Sequence, residues 1–216
     1  GREVSLEIEK KPAKFGPVVL EVDNLRVKNQ EKVEVVKNVS FKIQKGEVFA
    51  IAGVAGNGQV EIADAIAGLT EIDGGSIKLN GVDISKYSIR ERTIEGISYI
   101  PEDRQSYGLI LDFSLGENLA LKDYYKEPFC HKGVLNKDGI NEYGNKLIEK
   151  YDIRSSLGVN TQVRQMSGGN QQKAIVAREI ELDSPLMIFV QPTRGLDIGA
   201  IENIRKMIIE ERDKGK

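Results

Sequence analysis

The 216-residue chain sets 31 lysines and arginines against 33 aspartates and glutamates, a formal charge of −2, so no long-range basic field draws it to nucleic acid or anionic lipid. Hydrophobic residues at 40% and charged residues at 30% are ordinary for a globular protein with a sizeable core. A single cysteine, Cys130, excludes an internal disulfide and fits a reducing compartment, and no apolar run approaches the roughly 20 residues that span a bilayer.

Residues 1–17 hold two prolines with Lys10, Lys11 and Lys14 and read as a linker ahead of one domain over 18–216. Short β-branched stretches at 18–22, 33–36 and 39–43 predict a small antiparallel layer. The apolar run 47–53 is expected to be a strand buried on both faces. A glycine-rich turn then enters a helix near 60–67, with Ile62, Ala63, Ile66 and Ala67 at helical spacing. Asn80-Gly81 is a strong hairpin signal between 77–79 and 82–84.

A second buried strand is expected at Ile97–Ile100, stopped by Pro101. Residues 112–181 read as an inserted helical subdomain, with amphipathic pieces at 115–125 and 140–151 joined by a Gly/Pro-rich connector, and 170–182 reads as a helix. The run 186–190 predicts a third buried strand, and 199–212 an amphipathic helix carrying Ile201, Ile204, Ile208 and Ile209. Strand, glycine turn and helix in alternation imply an α/β domain with a parallel, helix-covered sheet. The sequence stops after a helix that would feed another strand, so the domain is expected to be truncated at its C-terminus.

Two glycine clusters carry the chemistry. Residues 53–60 read Gly-Val-Ala-Gly-Asn-Gly-Gln-Val. A phosphate loop has the spacing G-x-x-x-x-G-K-[ST]. Gly53 and Gly58 fit that spacing, with Gly56 and Asn57 between them, but Gln59 and Val60 stand where lysine and a hydroxyl belong. Backbone amides at a helix start can still face an anion. The cation and the Mg²⁺ ligand are gone. A tight turn with no ligand is the alternative reading. The second cluster, 166–173, reads Met-Ser-Gly-Gly-Asn-Gln-Gln-Lys and opens a helix, so Ser167, Gly168 and Gly169 converge at a positive helix end. A plain N-cap is the alternative, but it leaves unexplained the strand and polar turn at 186–197, ending Gln-Pro-Thr-Arg-Gly-Leu-Asp.

In this order the motifs resemble the ATP-binding domain of ABC transporters, and more narrowly the second, degenerate domain of importer subunits for simple sugars and nucleosides. Gly1-Arg2-Glu3-Val4 resembles the junction between the two domains of that subunit. The resemblance implies a P-loop ATPase domain with an antiparallel β subdomain and a helical insert. It places Glu102, in Pro-Glu-Asp-Arg, at the Q-loop position, and Val190 and Gln191 where the family carries a metal-binding acid and a catalytic glutamate. Neither side chain replaces those groups. No aromatic residue near 24–28 offers itself to an adenine, His131 is expected to be exposed and non-catalytic, and the switch histidine would lie beyond Lys216.

The same resemblance implies an asymmetric pair. Ser167, Gly168 and Gly169 would face ATP and Mg²⁺ held by the first nucleotide-binding domain of the same subunit, with Thr193 and Asp197 at the seam. The chain's own loop would bind nucleotide weakly or not at all, leaving this piece inactive alone and without a metal site of its own. Membrane permease subunits are the expected partners, meeting an apolar cluster (Leu109, Ile110, Leu111, Phe113, Leu115) that ordinary core packing also explains. An external solute-binding protein would act indirectly, and the domain would sit peripherally on the cytoplasmic face of the membrane. A non-transport ABC ATPase of DNA repair or translation is the competing function, disfavoured by the missing Mg·ATP groups and the absence of a basic surface.

Overall fold

The computed structural model describes residues 10–29 and 31–216; the junction reading at Gly1, Arg2, Glu3 and Val4 lies outside them. Two compact units result. One contains the described residues up to Tyr99 with Asp183–Val190 and Arg205–Lys216; the other contains Ile100–Leu182 and Gln191–Ile204.

In the first unit β1 (Val18–Lys28) pairs antiparallel with β2 (Glu34–Gln44) on one side and with β3 (Gly74–Leu79) on the other, and β4 (Val82–Asp83) completes the order β2-β1-β3-β4. The stretches expected at 33–36 and 39–43 thus form one strand, with Asn38 (φ 51°) at its irregularity. Asn80 and Gly81 both take positive φ, 49° and 83°, as a two-residue hairpin turn requires. Leu20, Leu25, Ile77 and Leu79 of the sheet are buried, and α1 (Gln59–Ala67) adds Ile62, Ala65 and Ile66 to the same core.

α2 (Ile89–Glu95) lies outside the expected elements, although Ser88 and Glu91 form a capping box readable as S-x-x-E. Its Arg92, only 3% exposed, donates to the carbonyls of Ala65 (2.5 Å) and Ile66 (2.9 Å) at the end of α1, and to those of Tyr87 and Ser85 at 3.0 Å. The Gly68 amide also donates to the Ala65 carbonyl, at 3.3 Å, and the guanidinium adds a cation to this helix end, where the dipole favours one. β5 (Ile97–Ile100) comes next in the chain.

The second unit is mainly helical. α3 (Leu115–Ala120) packs on α4 (Lys137–Lys150), and both the capping box of Ser114 with Glu117 and the cap at Asn136 fix their starts. Between them, 121–136 contains a small hairpin, β6 (Cys130–His131) with β7 (Val134–Leu135), turned at Lys132 (φ 49°) and Gly133 (φ 85°). His131 pairs with Glu127 at 2.9 Å on the surface. α5 (Gly168–Glu181) is buried along most of its length and also packs on α3. Back in the first unit, β8 (Leu186–Phe189) hydrogen-bonds with β5. α6 (Ile198–Asp213) closes the chain with Ile204 fully buried.

One expectation is overturned. Residues 47–53 join none of the three sheets and have no regular structure, and Val48, Phe49 and Ile51 are 51%, 41% and 44% exposed. A strand buried on both faces needs paired neighbours at its edges and helices over its faces, and among the described residues the expected parallel sheet is reduced to the β5–β8 pair. Apolar composition alone identifies the run; pairing decides its structure.

Candidate functional site

The loop 53–58 lies in the first unit and feeds α1 through Gly58 (φ 94°), whose missing side chain lets the Val35 carbonyl approach: a β-carbon there would sit 2.8 Å from it. Gly56 (φ 87°) and Asn57 are exposed at the loop tip. Gln59 does not reach outward. Its amide folds back to donate to the Val54 carbonyl at 3.2 Å, and a β-carbon at Gly53 would fall 1.8 Å from its Nε2. The lysine position is therefore used to brace the turn from within. Val60, beside it, offers no oxygen, and Val190, at the end of β8, is buried at 8% exposure. Neither side chain can ligate a metal ion.

Most other residues singled out in the sequence come together in the second unit. Asp103 caps a π-helical turn, Arg104–Gly108, accepting from the amides of Gln105 (2.9 Å) and Ser106 (3.1 Å) and from the Ser106 hydroxyl (2.8 Å). The Ser106 hydroxyl, with these amides, holds its carboxyl below the usual range. Glu102, just before it, accepts from Gln191 Nε2 at 3.1 Å and forms an ion pair with Arg194. Gln191 is thus a donor to a carboxylate, and its backbone has a positive φ of 46°. Asp197 caps the start of α6 through the Ala200 amide at 2.9 Å and lies close to Gly169, where a β-carbon would be 3.7 Å from Oδ2. Thr193 sits half-buried in the turn between them.

The signature 167–173 divides in two. Its tail is committed to its own unit. Gln171, 2% exposed, donates to the Val163 carbonyl at 3.0 Å, and Lys173 donates to Asp152, at 2.6 Å to the carbonyl and 3.0 Å to Oδ2. Its head faces out. Ser167 is the exposed N-cap of α5, and its hydroxyl accepts from Asn170 Nδ2 at 2.9 Å but only at 3.5 Å from the Asn170 amide. That last contact is at the limit of a hydrogen bond, so the first turn keeps amide hydrogens for something else. The arrangement suits an anion.

The positions of Arg104 and Arg194 carry more than the sequence suggested. Arg104 Nη1 donates to the Arg194 carbonyl at 3.1 Å, and a β-carbon at Gly168 would lie 2.7 Å from its Nη2. Both arginines are visible in Pro-Glu-Asp-Arg and Pro-Thr-Arg-Gly, but neither motif says that the two turns meet. The apolar cluster between 109 and 115 also divides: Leu109 and Leu115 are buried, while Ile110 and Phe113 are 39% and 42% exposed. No helix among the described residues is long and apolar enough to cross a membrane.

Comparison with known proteins gives this geometry a setting. The profile of the family described as ABC transporter matches residues 36–194. The guanosine import ATP-binding protein NupO of Bacillus subtilis is 47% identical over all 216 residues, and the nucleoside import ATP-binding protein NupA of Lactococcus lactis 45%. In both cases the chain spans 42% of the relative's length. Among solved structures, a dimeric bacterial ABC transporter cassette superposes with a TM-score of 0.75 at 22% identity, over 91% of this chain and 84% of that one. The α/β cassette fold with its antiparallel β subdomain is shared.

Proposed function

The chain belongs to the ABC transporter family, and from that premise we propose that it is the signature-donating, catalytically silent ATP-binding domain of an importer subunit. Ser167, Gly168 and Gly169 serve the terminal phosphate of Mg·ATP carried by the first nucleotide-binding domain of the same subunit, and Thr193 and Asp197 lie at the seam between the two. The observation that carries this reading is the contrast between the outward-facing head of α5 and a phosphate loop whose Gln59 is turned inward, next to Val60 and with Val190 buried. The residues of this chain's own loop do not fit a metal-bound triphosphate: they supply neither cation nor hydroxyl, and the carboxylate of Glu102 is engaged by Arg194 and Gln191.

The likeness to guanosine and nucleoside import proteins supports a nucleoside as the imported solute. Membrane permease subunits then carry the solute, an external solute-binding protein delivers it, and this domain works at the cytoplasmic face of the membrane. Exposed Ile110 and Phe113 give the permease an apolar surface.

The test is ATP turnover by the full-length subunit. Replacing Ser167 with arginine removes an anion-facing hydroxyl and fills the site, and should lower kcat by on the order of 10²–10³-fold. The 216-residue chain alone should show no magnesium-dependent turnover, and Gln59→Lys should not restore it, because metal ligand and base are still lacking. Normal turnover by the Ser167→Arg subunit would refute the proposal.

A further inference from the structure

Arg104 holds an unusual place. Its guanidinium rests on the Arg194 carbonyl at 3.1 Å, its Nη2 occupies the space beside Gly168, and its Nε is buried with no hydrogen-bond partner among the described residues. A guanidinium at a helix N-terminus meets the positive end of the dipole, and an unsatisfied buried donor costs stability. The fold therefore keeps the side chain here at a cost. Gly168 explains part of the arrangement. It is the first residue of α5, and its φ is not among the positive ones, so its backbone conformation does not require glycine. Alanine adopts a helical backbone at least as readily. What glycine provides is room for the guanidinium.

We propose that Arg104 is the positioning residue of the signature: it locks the turn carrying Gln191 and Arg194 to the first turn of α5, and Gly168 is glycine because that guanidinium needs its space. A β-carbon at Gly168 would fall 2.7 Å from Nη2, so the guanidinium must shift and its hold on the Arg194 carbonyl loosens; Gly168→Ala and Arg104→Ala then act on the same contact from opposite sides. This inference rests on the signature role proposed above. It adds that the glycine acts through a side chain of its own unit, not by giving the phosphate closer access.

The experiment is a double-mutant cycle in the full-length subunit, with kcat and KM for Mg·ATP measured beside thermal melting. Each single substitution should lower kcat by on the order of 10²-fold, the cost of a small misplacement, with KM and melting temperature nearly unchanged. The double variant should be no slower than either single one, since coupled residues are not additive. Arg104→Lys should fail to restore the rate, because an ammonium cannot reproduce the planar fork. Multiplying losses in the double variant, or full activity in Arg104→Lys, would overturn the assignment. Loss of activity in Ser167→Arg beside multiplicative losses here would leave the signature role standing and remove this inference alone.

Discussion

Arg92 shows how much a single side chain fixes in the first unit. Four carbonyls, from Ala65, Ile66, Tyr87 and Ser85, depend on one guanidinium that is almost wholly buried. Burial pushes its pKa down from the ordinary arginine value, yet arginine starts so high that it stays charged. Arg92→Met would fill similar space and take the guanidinium from all four carbonyls, with Ala65 keeping the longer bond from the Gly68 amide. The expected loss is about 2–4 kcal/mol, read as a lower midpoint in urea with an unchanged m-value. Gly68 belongs to the same device: it ends α1 with φ 83°, and a β-carbon there would meet Arg92 Nε at 2.9 Å.

At the scale of elements, the contact between the end of α4 and α5 has a pH dependence of known sign. Lys173 donates to the Asp152 carboxylate, and that hydrogen bond, with the lysine's charge, holds the Asp152 carboxyl below the usual range. A carboxyl with a depressed folded pKa gives stability that is complete above its unfolded pKa and is lost as pH falls through the folded one. Asp152→Asn is the suitable variant, because asparagine also accepts the positive φ of 47° found there. Wild type should melt above the variant at neutral pH, and the two curves should converge in acid. A gap that persists at low pH would show that the carboxylate charge is not what acts.

Elements with local signals are legible in the sequence: the Asn80-Gly81 hairpin, α1, α5 and the paired strands β1 and β2 lie where periodicity and turn chemistry put them. α2 has a legible capping box but is too short to show an apolar period of its own. The β6–β7 hairpin turns on Lys132-Gly133, and lysine is not a residue that announces a positive φ. Residues 47–53 depend on neighbours far away in sequence, which hydrophobicity does not report. The site divides in the same way. Ser167 at a helix start and the altered loop at Gln59 and Val60 can be read from residue type and spacing. The Glu102–Arg194 pair and the Arg104–Gly168 contact join positions about 60 to 90 residues apart, and only the fold brings them together.

For the whole molecule, the stretch from Val48 to Val54 has a practical consequence. Ten consecutive positions from Val48 onward are exposed, and Val48, Phe49, Ile51 and Val54 among them are apolar. The ring of Phe49 stacks on Phe41 with centroids 5.1 Å apart, but the backbone beside it belongs to no sheet. β-prone apolar segments of this kind, lacking charge after Glu47, pair readily with copies of themselves. Concentrated solutions of the 216-residue chain should therefore scatter light increasingly with concentration and with temperature, well below the melting point. Val48→Lys places a repelling charge on that stretch without touching the core, so it should raise the soluble concentration severalfold and leave the melting temperature where it was. The soluble concentration of this polypeptide is thus expected to turn on seven exposed residues outside its core.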